Sequence, residues 1–103
     1  MNIRWNGNEE IIYMTQERID SSNAPEVKNE LLKLINEKNL KILTIDMSDT
    51  YFITSAGLAA LLIIKKRALK RDIRMRFKNI PSLVLDIIDI TGFDMIFELY
   101  NPK

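Results

Sequence analysis

The segment from Asp46 to Ile64 brings a carboxylate, a row of hydroxyls and a block of large apolar side chains into one stretch: Asp46-Met47-Ser48-Asp49-Thr50-Tyr51-Phe52-Ile53-Thr54-Ser55-Ala56-Gly57-Leu58, then unbroken apolar residues to Ile64. Ser55 stands at or beside the N-cap of the helix that the apolar run implies. A hydroxyl there can satisfy a backbone N–H that the first helical turn leaves unpaired. A phosphate esterified to it would sit at the positive end of the helix dipole, where anions are favoured. Ser55 is therefore a candidate switch, and its simpler role is that of a plain helix cap worth ~1 kcal/mol.

Other chemistries are closed to this chain. It contains no cysteine and no histidine, which removes disulfides, thiolate and imidazole zinc sites, and Cys–His or Ser–His catalysis. Asp20, Asp46 and Asp49 could cluster, but no residue set supplies both an activated nucleophile and a base, so neither catalytic residues nor cofactor- or metal-binding residues are expected. The formal net charge of +1 predicts no direct nucleic-acid binding by the molecule as a whole. Charge is uneven, however: Lys65, Lys66, Arg67, Lys70, Arg71, Arg74, Arg76 and Lys78 lie together, offset locally by Asp72 alone. That cluster reads either as a solvated helix end or as a patch for an acidic partner. The longest apolar stretch, Ala56 to Ile64, is far short of the ~18 residues that span a bilayer, and the first residues show no signal-peptide pattern. The expectation is a cytoplasmic protein without membrane insertion.

These residues need a scaffold, and the sequence outlines one. With 103 residues, 47% hydrophobic and 28% charged, the chain is expected to form a single compact domain. Met1 to Trp5 and Glu10 to Gln16 read as strands around the turn-forming Asn6-Gly7-Asn8. The chain then leaves the sheet through Glu17-Arg18-Ile19-Asp20. Ser21-Ser22-Asn23 before Ala24-Pro25-Glu26 is a helix start, with Asn23 as cap and Glu26 closing a capping box. Val27, Leu31, Leu34 and Ile35 follow at helical spacing to about Lys38. Ile42 to Met47 reads as a central strand, Gly57 to Lys70 as a second helix, and Ile73 to Phe77 as a strand with one wet face. Pro81 opens a third helix stopped near Gly92, and Phe93 to Tyr100 adds a helical turn and an extended tail. Tyr51, Phe52 and Ile53 are either tucked beneath the second helix or offered to a partner, with Tyr51 the more expected inside.

That element order, ββαβαβαα, with Asp46-Met47-Ser48 leading into Thr54-Ser55-Ala56-Gly57-Leu58, resembles the STAS domain and specifically the bacterial anti-sigma factor antagonists. Ile19-Asp20-Ser21-Ser22-Asn23-Ala24-Pro25-Glu26 looks like the family's second signature, and Leu83 to Phe93 like its C-terminal helix. The resemblance implies an α/β STAS fold over residues 1–103: a mixed four- to five-stranded sheet with helices packed mainly on one face.

It also implies a partner switch rather than an enzyme. In that family the serine matching Ser55 is phosphorylated by an ATP-dependent, GHKL-type anti-sigma factor and serine kinase. The unphosphorylated antagonist binds that kinase and frees a sigma factor; a PP2C-type phosphatase reverses the modification. On this likeness the partner-binding residues are Asp20, Ser21, Asn23, Phe52, Ile53, Thr54, Ala56, Gly57 and Leu58, with Asp20 beside the serine to orient its hydroxyl or repel its phosphate. Asp20 reads equally as a loop carboxylate that helps the next helix start. The alternative within the wider group is a non-phosphorylated subunit or scaffold, as in phospholipid-transport ABC systems or stressosomes.

Overall fold

The computed structural model describes residues 2–37 and 39–100; the expected strand start at Met1 and helix end at Lys38 lie outside them. The chain runs β1 (Ile3–Asn6), β2 (Glu10–Met14), β3 (Arg18–Ile19), α1 (Ala24–Glu37), β4 (Ile42–Asp46), β5 (Phe52–Ile53), α2 (Ser55–Lys70), β6 (Arg74–Lys78), α3 (Ser82–Ile90), a 3-10 turn (Phe93–Met95) and β7 (Glu98–Tyr100). Among the described residues five strands form one sheet in the order β1-β2-β4-β6-β7. The β1–β2 hairpin is antiparallel, and Gly7 in its turn has φ +71°, a left-handed conformation that glycine adopts without penalty. Every later pairing in this sheet is parallel, with α1, α2 and α3 as the crossovers. The expected mixed α/β architecture is what the chain adopts.

Strand alternation assigns the two faces. Ile11, Tyr13, Leu43, Ile45, Met75 and Phe77 point to one side and are completely or almost completely buried. They join Val27, Leu31 and Ile35 of α1, Leu58, Leu61 and Ile64 of α2, and Val84 and Ile88 of α3 in one core. The apolar stripes anticipated from helical spacing are therefore the buried faces. On the opposite side Arg76 donates to Thr44 Oγ1 at 3.1 Å and to Glu10 Oε2 at 3.2 Å, while Asn6 donates to Glu10 Oε1 at 2.8 Å. Burial would raise the Glu10 carboxyl, but these donors and the Thr44 hydroxyl hold it below its ordinary value. Arg74 forks onto both carboxylate oxygens of Glu98 at 3.0 Å, tying the tail strand β7 to β6.

Three boundaries differ from expectation. The helical turn and extended tail expected over Phe93 to Tyr100 are present, but the tail is paired with β6 as a fifth strand, and Phe97 before it is buried against Phe77 with ring centroids 4.7 Å apart. Asn23 starts α1 through its backbone carbonyl, which accepts from Val27 N–H at 3.0 Å; its side-chain oxygen instead accepts from Asp20 N–H at 2.9 Å. The capping box is thus replaced by a bond back into the preceding loop. The segment leaving β2 also does not simply cross to α1, since Arg18 and Ile19 form a strand of their own.

Candidate functional site

That two-residue strand builds the site. β3 pairs in parallel with β5, Arg18 opposite Phe52 and Ile19 opposite Ile53, in a small sheet separate from the main one. Thr54 N–H then donates to the Ile19 carbonyl at 3.0 Å. The loop entering α1 and the loop entering α2, far apart in sequence, are thereby locked side by side. Thr50 fixes the same region from behind, donating to the Gln16 carbonyl at 2.6 Å and meeting the Thr15 hydroxyl. Asp46 anchors the end of β4: Ser48 N–H donates to it at 3.0 Å and Asn79 at 3.3 Å. Burial alone would raise the Asp46 carboxyl, but Ser48, Asn79 and the Lys78 charge outweigh it and hold it low.

Thr54, not Ser55, caps α2. Its backbone is extended, its hydroxyl accepts from Gly57 N–H at 3.4 Å, and its carbonyl accepts from Leu58 N–H at 2.9 Å. Ser55 is the first helical residue, exposed, and its hydroxyl has no protein partner among the described residues. Around it, Ser21 and Phe52 are exposed, and Asp20, Asn23 and Ala56 are half-buried. Ile53, Gly57 and Leu58, counted above with the contact residues, lie below the surface and hold the exposed ones in place. Gly57 is there for space: a Cβ would come 2.7 Å from the Ile19 carbonyl oxygen and 2.9 Å from Ile53 Cγ1.

The Asp20 carboxylate is occupied within its own loop. Oδ1 accepts from Ser22 N–H at 2.9 Å and from the Ser22 hydroxyl, and Oδ2 lies 3.3 Å from the Arg18 guanidinium. The Ser22 donors first, with Arg18 as a smaller contribution, hold its carboxyl below the usual range. No hydrogen bond joins Asp20 to Ser55, while the Asp20 carbonyl accepts from Asn23 and Ala24 N–H at the entrance to α1. The carboxylate thus closes a turn with Ser22, and it is the Asp20 carbonyl that receives the N–H groups at the start of α1. Tyr51, expected inside, is 52% exposed, and Phe52 is 37% exposed. In β5 the exposed Phe52 alternates with the buried Ile53, and the Arg18 guanidinium opposite lies 5.7 Å from the Phe52 ring centre. Arg18, which the sequence did not single out, thus touches two of the candidate site residues, Phe52 and Asp20. Among the described residues no three carboxylate, histidine or cysteine side chains converge as metal ligands, and no helix is long and apolar enough to cross a membrane.

The STAS domain family model matches residues 2–102. Solved structures of similar fold include SpoIIAA in its unphosphorylated form, 11% identical over 99% of this chain and 87% of that one, TM-score 0.84. An anti-sigma factor antagonist from Mycobacterium paratuberculosis is 21% identical over 96% and 82%, TM-score 0.84. An anti-sigma-factor antagonist (STAS) domain protein from Planctomyces limnophilus is 14% identical over 98% and 91%, TM-score 0.83. The Bacillus cell fate determinant SpoIIAA in its phosphorylated form is 10% identical over 99% of this chain and 90% of that one, TM-score 0.76. With a family model matching nearly its full length and a sheet of the same architecture, this chain belongs to the STAS domain family.

Proposed function

We propose that this protein is an anti-sigma factor antagonist whose unphosphorylated form binds an anti-sigma factor and serine kinase, releases a sigma factor, and is switched off by phosphorylation of Ser55. The observation that carries this reading is the state of Ser55: exposed, its hydroxyl without a hydrogen-bond partner among the described residues, and on the first turn of a sixteen-residue helix. Phosphorylation would break no bond that holds the fold, and the helix dipole would accommodate the new charge. The same modification adds about −1.5 to −2 charge beside the exposed Phe52 and the small apolar residues of α2. A partner docked there would have to strip water from a phosphate, and binding fails.

The GHKL-type kinase and the PP2C-type phosphatase are part of this proposal, as is a cytoplasmic place of action. Asp20 contributes by shaping the loop the partner meets, and Ser21 and Asn23 by flanking it. To test the switch, the protein is incubated with the organism's GHKL-type anti-sigma kinase, ATP and magnesium, then weighed by mass spectrometry. One phosphate on Ser55, with Ser55→Asp losing partner binding and Ser55→Ala keeping it, is the expected result. Binding by Ser55→Asp as tight as by wild type refutes the switch; tight binding without any mass change points to the constitutive-subunit alternative.

A further inference from the structure

Between α1 and α2 runs an open groove of about 310 Å³, walled by Ala56, Ala59, Ala60 and Ile63 on one side and by Ala24 and Pro25 on the other. Positions 56, 59, 60 and 63 recur at helical spacing, so they form one strip along α2 that starts one residue from Ser55. Small side chains there keep the groove floor low. Ile63 also lines a second, smaller cleft of about 180 Å³, with Lys66, Arg67 and Lys70. Lys28 of α1 stands on the rim of the first.

The charge of this strip has one sign. Lys28, Lys66, Arg67 and Lys70 line the two clefts, no Asp or Glu does, and none of the four cations is in an ion pair among the described residues. The contrast with the neighbouring strand is informative: Arg74 and Arg76, from the same basic stretch of sequence, are matched by Glu98 and Glu10 on the opposite sheet face. The fold pairs the arginines of β6 with carboxylates and leaves Lys66, Arg67 and Lys70 of α2 without an ion pair among the described residues.

We infer that this groove receives an amphipathic helix of the protein partner, its apolar residues seated against Ala56, Ala59 and Ile63 and its acidic residues against Lys66, Arg67 and Lys70. An apolar trough flanked by cations is the complement of such a helix, which presents anchors at i, i+3, i+4 and i+7. Rim charges of this kind set association rate, register and salt dependence. The inference rests on the reading that this surface binds a protein, and it deepens that reading: a phosphate on Ser55 would lie at the head of a groove whose occupant is itself acidic, so repulsion adds to the desolvation cost.

The test uses the whole chain, ¹⁵N-labelled, titrated with a synthetic amphipathic helical peptide carrying leucines at helical spacing and glutamates in its last turns. A peptide with lysine in place of each glutamate is the control. The expected result is that the glutamate peptide shifts the amides of Ala56, Ala59, Ile63, Lys66 and Arg67, and that Lys66→Glu with Arg67→Glu weakens it by about tenfold or more at low salt without lowering the melting temperature. Absence of shifts at these residues, equal binding of both peptides, or tighter use of the same residues by phosphatidylglycerol vesicles or duplex DNA overturns the inference. Phosphorylation of Ser55 is scored separately by mass. If the kinase modifies Ser55 but the peptide does not bind the groove, the groove inference falls alone; if the peptide binds and Ser55 is never modified, only the switch falls.

Discussion

Replacing Gly57 by alanine separates two forces of opposite sign. In a helix that meets nothing, glycine to alanine is stabilising by about 0.8–1 kcal/mol, because alanine loses less backbone entropy. Here the new methyl would meet the Ile19 carbonyl oxygen at 2.7 Å, Ile19 Cγ2 at 2.8 Å and Ile53 Cγ1 at 2.9 Å. Overpacking of this kind costs about 1–3 kcal/mol. The closest atom decides where in that range the site falls, since a backbone oxygen cannot rotate away as a side-chain end can. That oxygen also accepts from Thr54 N–H at 3.0 Å, so displacing it weakens a bond worth about 1 kcal/mol. The expected net effect of Gly57→Ala is a destabilisation of about 1–2 kcal/mol, concentrated where β3 meets β5. Urea unfolding measures the global part as a lower midpoint with an unchanged slope. Amide hydrogen exchange measures the local part: the Thr54 amide should lose more protection than Leu43 or Phe77 in the main sheet. A variant more stable than wild type, with Thr54 equally protected, would show that the close approach of α2 to β3 is not what requires glycine.

Two further substitutions probe the cap and the core. Thr54→Ala should cost about 1 kcal/mol or slightly less, because the Gly57 N–H bond to its hydroxyl is long at 3.4 Å, whereas Ser55→Ala should stay within about 0.5 kcal/mol in thermal or urea melts; the reverse order would return the cap to Ser55. Tyr13, 2% exposed, has its hydroxyl pKa pushed up by burial first and then by the Glu30 and Glu26 charges. A folded value above the unfolded one of about 10 means that its contribution is complete below pH ~10 and is lost as pH rises beyond it, by up to about 1.4 kcal/mol per pH unit. Tyr13→Phe should flatten that alkaline decline in pH-dependent urea melts, and an unchanged slope would mean that the phenol is not held neutral by the fold.

What the sequence made legible follows from where the physical signal is local. The stripes Val27-Leu31-Leu34-Ile35 and Leu83 to Ile88 repeat with the helical period, and the alternation of Met75 and Phe77 with Arg74 and Arg76 repeats with the strand period, so these elements could be placed before any coordinates. The pairing of Arg18-Ile19 with Phe52-Ile53 could not, because two residues carry no period and their partner lies across the whole of α1 and β4. Missing that pair meant missing why Phe52 stays outside, why Arg18 lies against it, and why Thr54 rather than the adjacent hydroxyl of Ser55 becomes the cap. The basic stretch Lys65 to Lys78 was ambiguous for the same reason: Glu10 and Glu98, which neutralise its second half, come from the other ends of the chain.

These nonlocal contacts also explain how one residue can be altered without disturbing the rest. Thr54 spends its backbone and hydroxyl on Ile19, Gly57 and Leu58, Asp20 spends its carboxylate on Ser22 and Arg18, and Gly57 lets α2 close onto Ile19 from below. The hydroxyl of Ser55, between the cap and the first apolar step of α2, is left with no bond to lose among the described residues. Under the proposed switch, a kinase therefore changes the charge of the docking surface while the elements that present it stay where they are. Had Ser55 been the cap, each phosphorylation would have traded a helix-starting bond for a signal, and stability and binding would have moved together instead of separately.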